Sequence, residues 1–308
     1  MNFQILRSRT IGFLFLALAA FAGAASAQTT TKSLNALYCG GYVQSSPINT
    51  SNFIVGAEFE ADKHTFAQGD KLVIRGGNYQ VGDMMSVVRP RGRVETRWTR
   101  KNNLGFYVQE LGTVEIVKVK GEISIGEVRT SCDNMLLGDL VVPMQPREFP
   151  ALKEWTPLDV FGDPNGKATG RIFMARDNQE MLSSEQIVYI DLGAEDNVSV
   201  GDYLTIYRPL GTGNIIDRIY SESMSARDEG FQSNEYRGGK FSNQAPRKKG
   251  DRARGSKMTS EDARSRRPDN IRRVVGEMVI LNVKEKTATA MITRTTQEVH
   301  TGDYVEVQ

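Results

Sequence analysis

Residues 79–92 read YQVGDMMSVVRPRG, and residues 198–211 read VSVGDYLTIYRPLG. Six of the fourteen positions are identical: Val81/Val200, Gly82/Gly201, Asp83/Asp202, Arg89/Arg208, Pro90/Pro209 and Gly92/Gly211. A second pair follows in the same order. Residues 112–143, GTVEIVKVKGEISIGEVRTSCDNMLLGDLVVP, align without a gap with residues 276–307, GEMVILNVKEKTATAMITRTTQEVHTGDYVEV, and seven of thirty-two positions match. Similarity within one chain at a fixed shift marks a duplicated structural unit; the alternative is a chance resemblance between β-rich stretches. The shift is 119 residues for the first pair and 164 for the second, so the second copy holds about 45 additional residues between its halves.

Within each copy, short β-branched runs are separated by Gly-Asp at 69–70, 82–83, 138–139, 201–202 and 302–303. Glycine supplies positive φ and aspartate bonds nearby backbone, so these pairs read as turns, and their aspartates as turn formers rather than acids or metal ligands. Strands are expected at 72–74, 85–88, 114–119, 123–128 and 140–142 in the first copy, and at 187–190, 204–207, 278–283, 288–292 and 304–307 in the second. Five or six short strands in about 90 residues predict an all-β chain of two tandem barrel-like modules, SH3-like or OB-like, because closure removes exposed sheet edges. The organisation that follows is a leader (1–27), a first module (39–145), a proline-containing linker (146–167) and a second module (168–308) interrupted by a polar insert (221–270).

The leader carries Arg7 and Arg9, an apolar run from Ile11 to Ala22 and the small residues Ala25-Ser26-Ala27, the pattern of a secretory signal peptide with the mature chain starting at Gln28. Export to the periplasm or outer envelope is the expectation. Two cysteines in an exported chain are most simply one disulfide, Cys39 to Cys132; two free buried thiols are the alternative.

Catalytic chemistry finds little material. The two histidines, His64 and His300, each lie beside an expected turn without a second ligand at metal spacing; so few make a Ser-His-Asp or Cys-His arrangement hard to assemble, and neither a Gly-x-Ser-x-Gly elbow nor a phosphate-binding glycine loop is present. No enzyme activity, cofactor or small-molecule substrate is expected. Arg89 and Arg208, repeated before Pro90 and Pro209, read as turn caps or partners of a nearby carboxylate, with ligand binding as the other reading.

The insert is the segment most suited to a partner. Residues 236–273 hold thirteen basic and four acidic side chains in a chain whose net charge is only +2. So polar a segment cannot bury enough apolar surface to offset its ordering entropy, and disorder is expected. Arg247, Lys248, Lys249, Arg252, Arg254, Arg264, Arg266 and Arg267 are candidate contacts to an anionic glycan, lipid or acidic protein surface. A solvated loop folding back on the acidic body is the alternative. Few aromatic residues interleave with these charges, which disfavours nucleic acid.

Residues 187–211 (IVYIDLGAEDNVSVGDYLTIYRPLG) and 275–307 carry a family likeness. The pattern of glycine, apolar strand, lysine, small-residue strand, then Gly-Asp and a closing strand resembles the C-terminal repeat modules of the type IV pilus secretin-associated proteins and the C-terminal domain of the flagellar T-ring protein. The resemblance implies a non-enzymatic structural or adaptor protein binding components of a secretin- or ring-type envelope assembly. The pilus proteins usually carry an N-terminal LysM domain, and no such segment is found between Gln28 and the first module. The rival reading, a peptidoglycan- or glycan-binding module, requires exposed aromatic residues on one face, for which Trp98, Tyr107 and Trp155 are the candidates.

Overall fold

The computed structural model describes residues 37–154, 156–210, 266–268 and 271–308. The leader, and the insert up to residue 265, lie outside the described residues. Contacts divide the chain into two compact units, the first holding residues up to 95, 103–151 and 281–289, the second 96–102, 152–280 and 290–308.

The first barrel is built from seven strands: β1 (Tyr42–Gln44), β2 (Phe53–Ala57), β3 (Lys71–Arg75), β4 (Met84–Arg93), β5 (Phe106–Lys120), β6 (Ile123–Ser131) and β7 (Leu140–Pro143). Every pairing is antiparallel. β2 pairs β3 and β7, β4 pairs β5 and β7, and β6 pairs β3 and β5, so six strands close a ring while β1 adds to β5. Alternation then directs every second side chain inward. Ile54, Leu72, Ile74, Met85, Val87, Val114, Ile116, Val128 and Val141 fill the interior, joined by Phe66 and Met135, which exchange backbone hydrogen bonds of 2.9 and 3.0 Å.

The second barrel repeats the circuit with β8 (Thr169–Ala175), β10 (Ile187–Ile190), β11 (Tyr203–Pro209), β12 (Arg272–Val283), β13 (Ala288–Thr295) and β15 (Tyr304–Val307). The short pair β9 (Met181–Leu182) and β14 (Val299–His300) stands where Phe66 meets Met135 in the first. The equivalence holds to the residue. Val87 pairs Gly112 and the register then slips before Val88; Ile206 pairs Gly276 and the register slips before Tyr207. At Gly112 a Cβ would lie 2.1 Å from the Thr130 carbonyl oxygen, and at Gly276 2.7 Å from that of Arg294, which is why glycine occupies both bulges. The tandem barrels are thus a structural duplication.

The Gly-Asp dipeptides form the expected turns. Their glycines have φ between +88° and +96°, and each aspartate accepts the N–H of the residue three before it: Ala67, Gln80, Leu136, Ser199 and His300, at 2.7–2.9 Å. One turn is hidden from a sequence comparison. Where the first barrel has Gly69-Asp70, the second has Glu185-Gln186, with Glu185 at φ 68° and the Gln186 Oε1 accepting the Ser183 N–H at 2.7 Å.

The two repeated arginines pair with carboxylates. Arg89 holds Asp139 through Nε and Nη2, both at 2.7 Å, and donates to the Asn134 carbonyl at 3.0 Å. Arg208 does the same to Asp303, at 2.6 and 2.8 Å, and to the Glu298 carbonyl at 2.7 Å. Cys39 and Cys132 form a disulfide, with their Cα atoms 5.6 Å apart.

Candidate functional site

The duplication supplies an internal reference, because equivalent positions that keep the fold but change chemistry mark what one copy does in addition. On the first barrel, Phe53, Val88, Val108, Leu140 and Val142 pack together with Tyr42 and Ile48 as an apolar cluster. Strand register assigns their counterparts in the second barrel. Tyr207 opposes Tyr304 as Val88 opposes Leu140; Arg171 opposes Tyr304 as Phe53 opposes Leu140; Arg272 opposes Pro209 as Val108 opposes Pro90; Glu306 opposes Thr205 as Val142 opposes Ser86. Five apolar residues have become two arginines, two tyrosines and a glutamate.

These side chains form a ladder of alternating cations and rings. Tyr207 and Tyr304 stack with centroids 5.5 Å apart and planes 25° from parallel. The Arg272 guanidinium lies 4.5 Å from the Tyr207 centroid, and that of Arg171 4.0 Å from the Tyr304 centroid. Trp98, on the 96–102 segment of the same unit, continues the series, 5.6 Å from Arg171 and 4.6 Å from Arg97. Such contacts hold each guanidinium against a ring face and leave most of its N–H edge for other partners.

Inner and outer arginines differ in their remaining bonds. Arg272 is engaged through all three of its nitrogens: it pairs with Glu306 at 2.6 Å and donates to the carbonyls of Gly162 and Asp163 at 3.0 and 2.7 Å. Both partners of that pair are buried. Burial pushes the Tyr207 phenol above its ordinary pKa, with Arg272 opposing the rise. Arg171, by contrast, contacts the Tyr304 hydroxyl through one Nη, and no carboxylate pairs with its guanidinium among the described residues. Arg97 and Arg100 are exposed and form no ion pair among the described residues.

Arg97, Trp98, Arg171, Tyr207 and Tyr304 line a cleft of about 490 Å³. Four basic and two acidic side chains border it. Both acids are engaged. Asp191 accepts the Arg171 backbone N–H at 2.5 Å and the Thr99 hydroxyl at 2.9 Å; Asp196 accepts the Gly193 N–H at 2.8 Å and Lys101 Nζ at 2.6 Å. Of the four cations, then, only Lys101 is paired with a carboxylate among the described residues.

Lys101 fastens the 96–102 segment to residues 195–196, and this gives a pH test. Burial works against its charged form, but hydrogen bonds to Asp196 and Glu195 outweigh burial and hold the pKa above the ordinary lysine value. A folded-state pKa above the unfolded value of ~10.4 contributes stability that is complete below that pH and is lost as pH rises through the folded pKa. Urea titrations above pH ~10.4 are expected to show the wild type converging on Lys101→Met. Curves that stay parallel would remove Lys101 as the fastening.

Of the basic residues nominated for an anionic partner, Arg247, Lys248, Lys249, Arg252, Arg254 and Arg264 lie outside the described residues. Arg266 is exposed and Arg267 half-buried. Arg272 and Arg273, counted with them in the basic run, belong to β12, and Arg272 is buried on Glu306. Trp98 reaches the cleft, Tyr107 is half-buried in β5, and Trp155 lies outside the described residues. Sequence reasoning missed Arg171, Tyr207, Tyr304 and Glu306. The aligned repeats already held a signal for two of them, since Val88/Tyr207 and Leu140/Tyr304 are positions where an apolar residue gives way to an aromatic one.

No protein-family model matches the chain, and comparison with curated proteins returns no match.

Proposed function

We propose that the protein is an exported, non-enzymatic adaptor of the cell envelope, whose second barrel captures an anionic group on a protein component of a secretin- or ring-type assembly. One observation carries this reading. The second barrel replaces an apolar cluster of the first with a cation–aromatic ladder ending in arginines that have no carboxylate partner among the described residues. The disulfide is compatible with an oxidising, extracytoplasmic compartment. The likeness of residues 187–211 and 275–307 to envelope-assembly modules names the kind of partner, and the basic insert serves as an auxiliary contact.

A peptidoglycan- or glycan-binding role is the second reading, favoured by Trp98 at the cleft. Crosslinking and affinity capture from envelope fractions test the two, comparing the intact chain with Arg171→Gln and with a deletion of residues 221–270. Recovery of a ring component that falls several-fold with Arg171→Gln is expected. Recovery of peptidoglycan fragments without a protein would replace the adaptor by the wall-binding reading.

A further inference from the structure

We infer that the cleft of the second barrel is a receptor for a short acidic peptide segment, whose carboxylates are gripped by the forked N–H edges of Arg171, Arg97 and Arg100. The inference rests on the adaptor reading and specifies what the partner presents. Three observations select this chemistry.

The first is the state of the arginines. A guanidinium stacked on an aromatic ring is held flat, so its planar edge is pre-organised for two parallel hydrogen bonds to a carboxylate. Arg171 lies 4.0 Å from the centre of Tyr304 and Arg97 4.6 Å from that of Trp98. Apart from the Nη contact to Tyr304, the Arg171 fork has no partner among the described residues. A cation kept rigid and unpaired at a cleft of about 490 Å³ is poised for a ligand of opposite sign.

The second is the state of the rings. A sugar binds by laying its C–H face on an open aromatic face. Here Tyr207, Tyr304 and Trp98 each already have a guanidinium within 4.6 Å of the ring centre. Trp98 is also pressed on Gly302, where an added Cβ would lie 2.9 Å from ring atoms. The rings support arginines instead of offering a platform, which favours a peptide over a glycan.

The third is the balance of charge. Four basic residues against Asp191 and Asp196 leave the cleft net positive, which attracts an anionic segment.

The test uses the mature chain carrying Trp155→Phe, so that Trp98 alone reports by fluorescence. Acetylated, amidated tetraglutamate is titrated at low salt, with tetragalacturonate and inorganic phosphate as comparators. The peptide is expected to saturate the Trp98 response. Arg171→Gln and Arg97→Gln should each weaken it at least tenfold, the loss of one forked arginine–carboxylate contact. Arg171→Lys, which keeps the charge but not the fork, should recover little of that loss. Circular dichroism melts check that the variants fold; Arg97→Gln changes an exposed side chain and keeps the test alive should Arg171→Gln not fold. Tetragalacturonate or phosphate binding at least as tightly as the peptide would overturn the assignment, as would wild-type affinity in Arg171→Lys. If no probe binds while envelope capture still recovers a protein through Arg171, the inference falls and the adaptor reading stands.

Discussion

Removing the Cys39–Cys132 bridge, by reduction or by replacing both cysteines with serine, lowers the stability of the first unit by about 4–5 kcal/mol. The bridge spans 93 residues of sequence, and by the chain-entropy relation a loop of about that length costs the unfolded ensemble ~4.6 kcal/mol of freedom. The folded state loses less, because other bonds hold the same segment. Arg147 donates to the Leu37 carbonyl at 2.6 Å, and the Gly41 N–H donates to Glu110 at 3.0 Å. Destabilisation therefore acts mainly through the unfolded chain. Urea unfolding followed by circular dichroism checks it. On reduction, circular dichroism should show an early transition that the oxidised protein lacks. A loss of under about 1 kcal/mol would mean that the unfolded chain is already restricted without the bridge.

The duplication was legible because its marks are backbone chemistry. A Gly-Asp turn needs positive φ at one position and a short carboxylate at the next, and few other pairs satisfy both. All five expected strands of each copy are present, mostly longer than the apolar core that announced them. β5, for example, runs from Phe106 to Lys120, beyond the expected 114–119. The first ring strand of each copy was not legible. β2 (FIVGA) and β8 (TGRIFMA) share almost no residues and follow no Gly-Asp turn, yet occupy the same place, with Ile54 and Ile172 both donating to the carbonyl of the paired aspartate, Asp139 or Asp303. Their identity lies in register, which only the closed ring fixes.

The cleft was illegible for a related reason. Arg171, Tyr207, Arg272 and Tyr304 come from four strands spread over more than a hundred residues, and each is ordinary in its own stretch. What makes them a site is that closure places them side by side, and that their counterparts Phe53, Val88, Val108 and Leu140 show what a purely structural version contains. A basic insert is conspicuous in a sequence because its charges are consecutive. The charges of the cleft are dispersed in the chain and become local only after folding.

Asp139→Ala and Asp303→Ala each cost about 3 kcal/mol, and the two losses agree within about 1 kcal/mol. In each barrel a single carboxylate accepts a bidentate arginine and caps its own turn, so alanine removes three hydrogen bonds at once: for Asp303, those from Arg208 Nε and Nη2 and from the His300 N–H. The partner arginine is left largely buried, its side chain 20% exposed for Arg89 and 15% for Arg208, and an uncompensated buried charge is costlier than a missing bond. The exposed pair Arg129–Glu115, at 41% and 34% exposure, sets the contrast: Glu115→Ala should change stability by less than ~1 kcal/mol because water screens it. Urea midpoints of the two variants, followed by circular dichroism, measure the two losses. Similar large losses would establish the Arg–Asp clasp as the energetic element that both copies retain while the surface around Arg171 diverges. A loss of under about 1 kcal/mol in either barrel would show that water replaces the carboxylate there, and would end the energetic equivalence of the two copies.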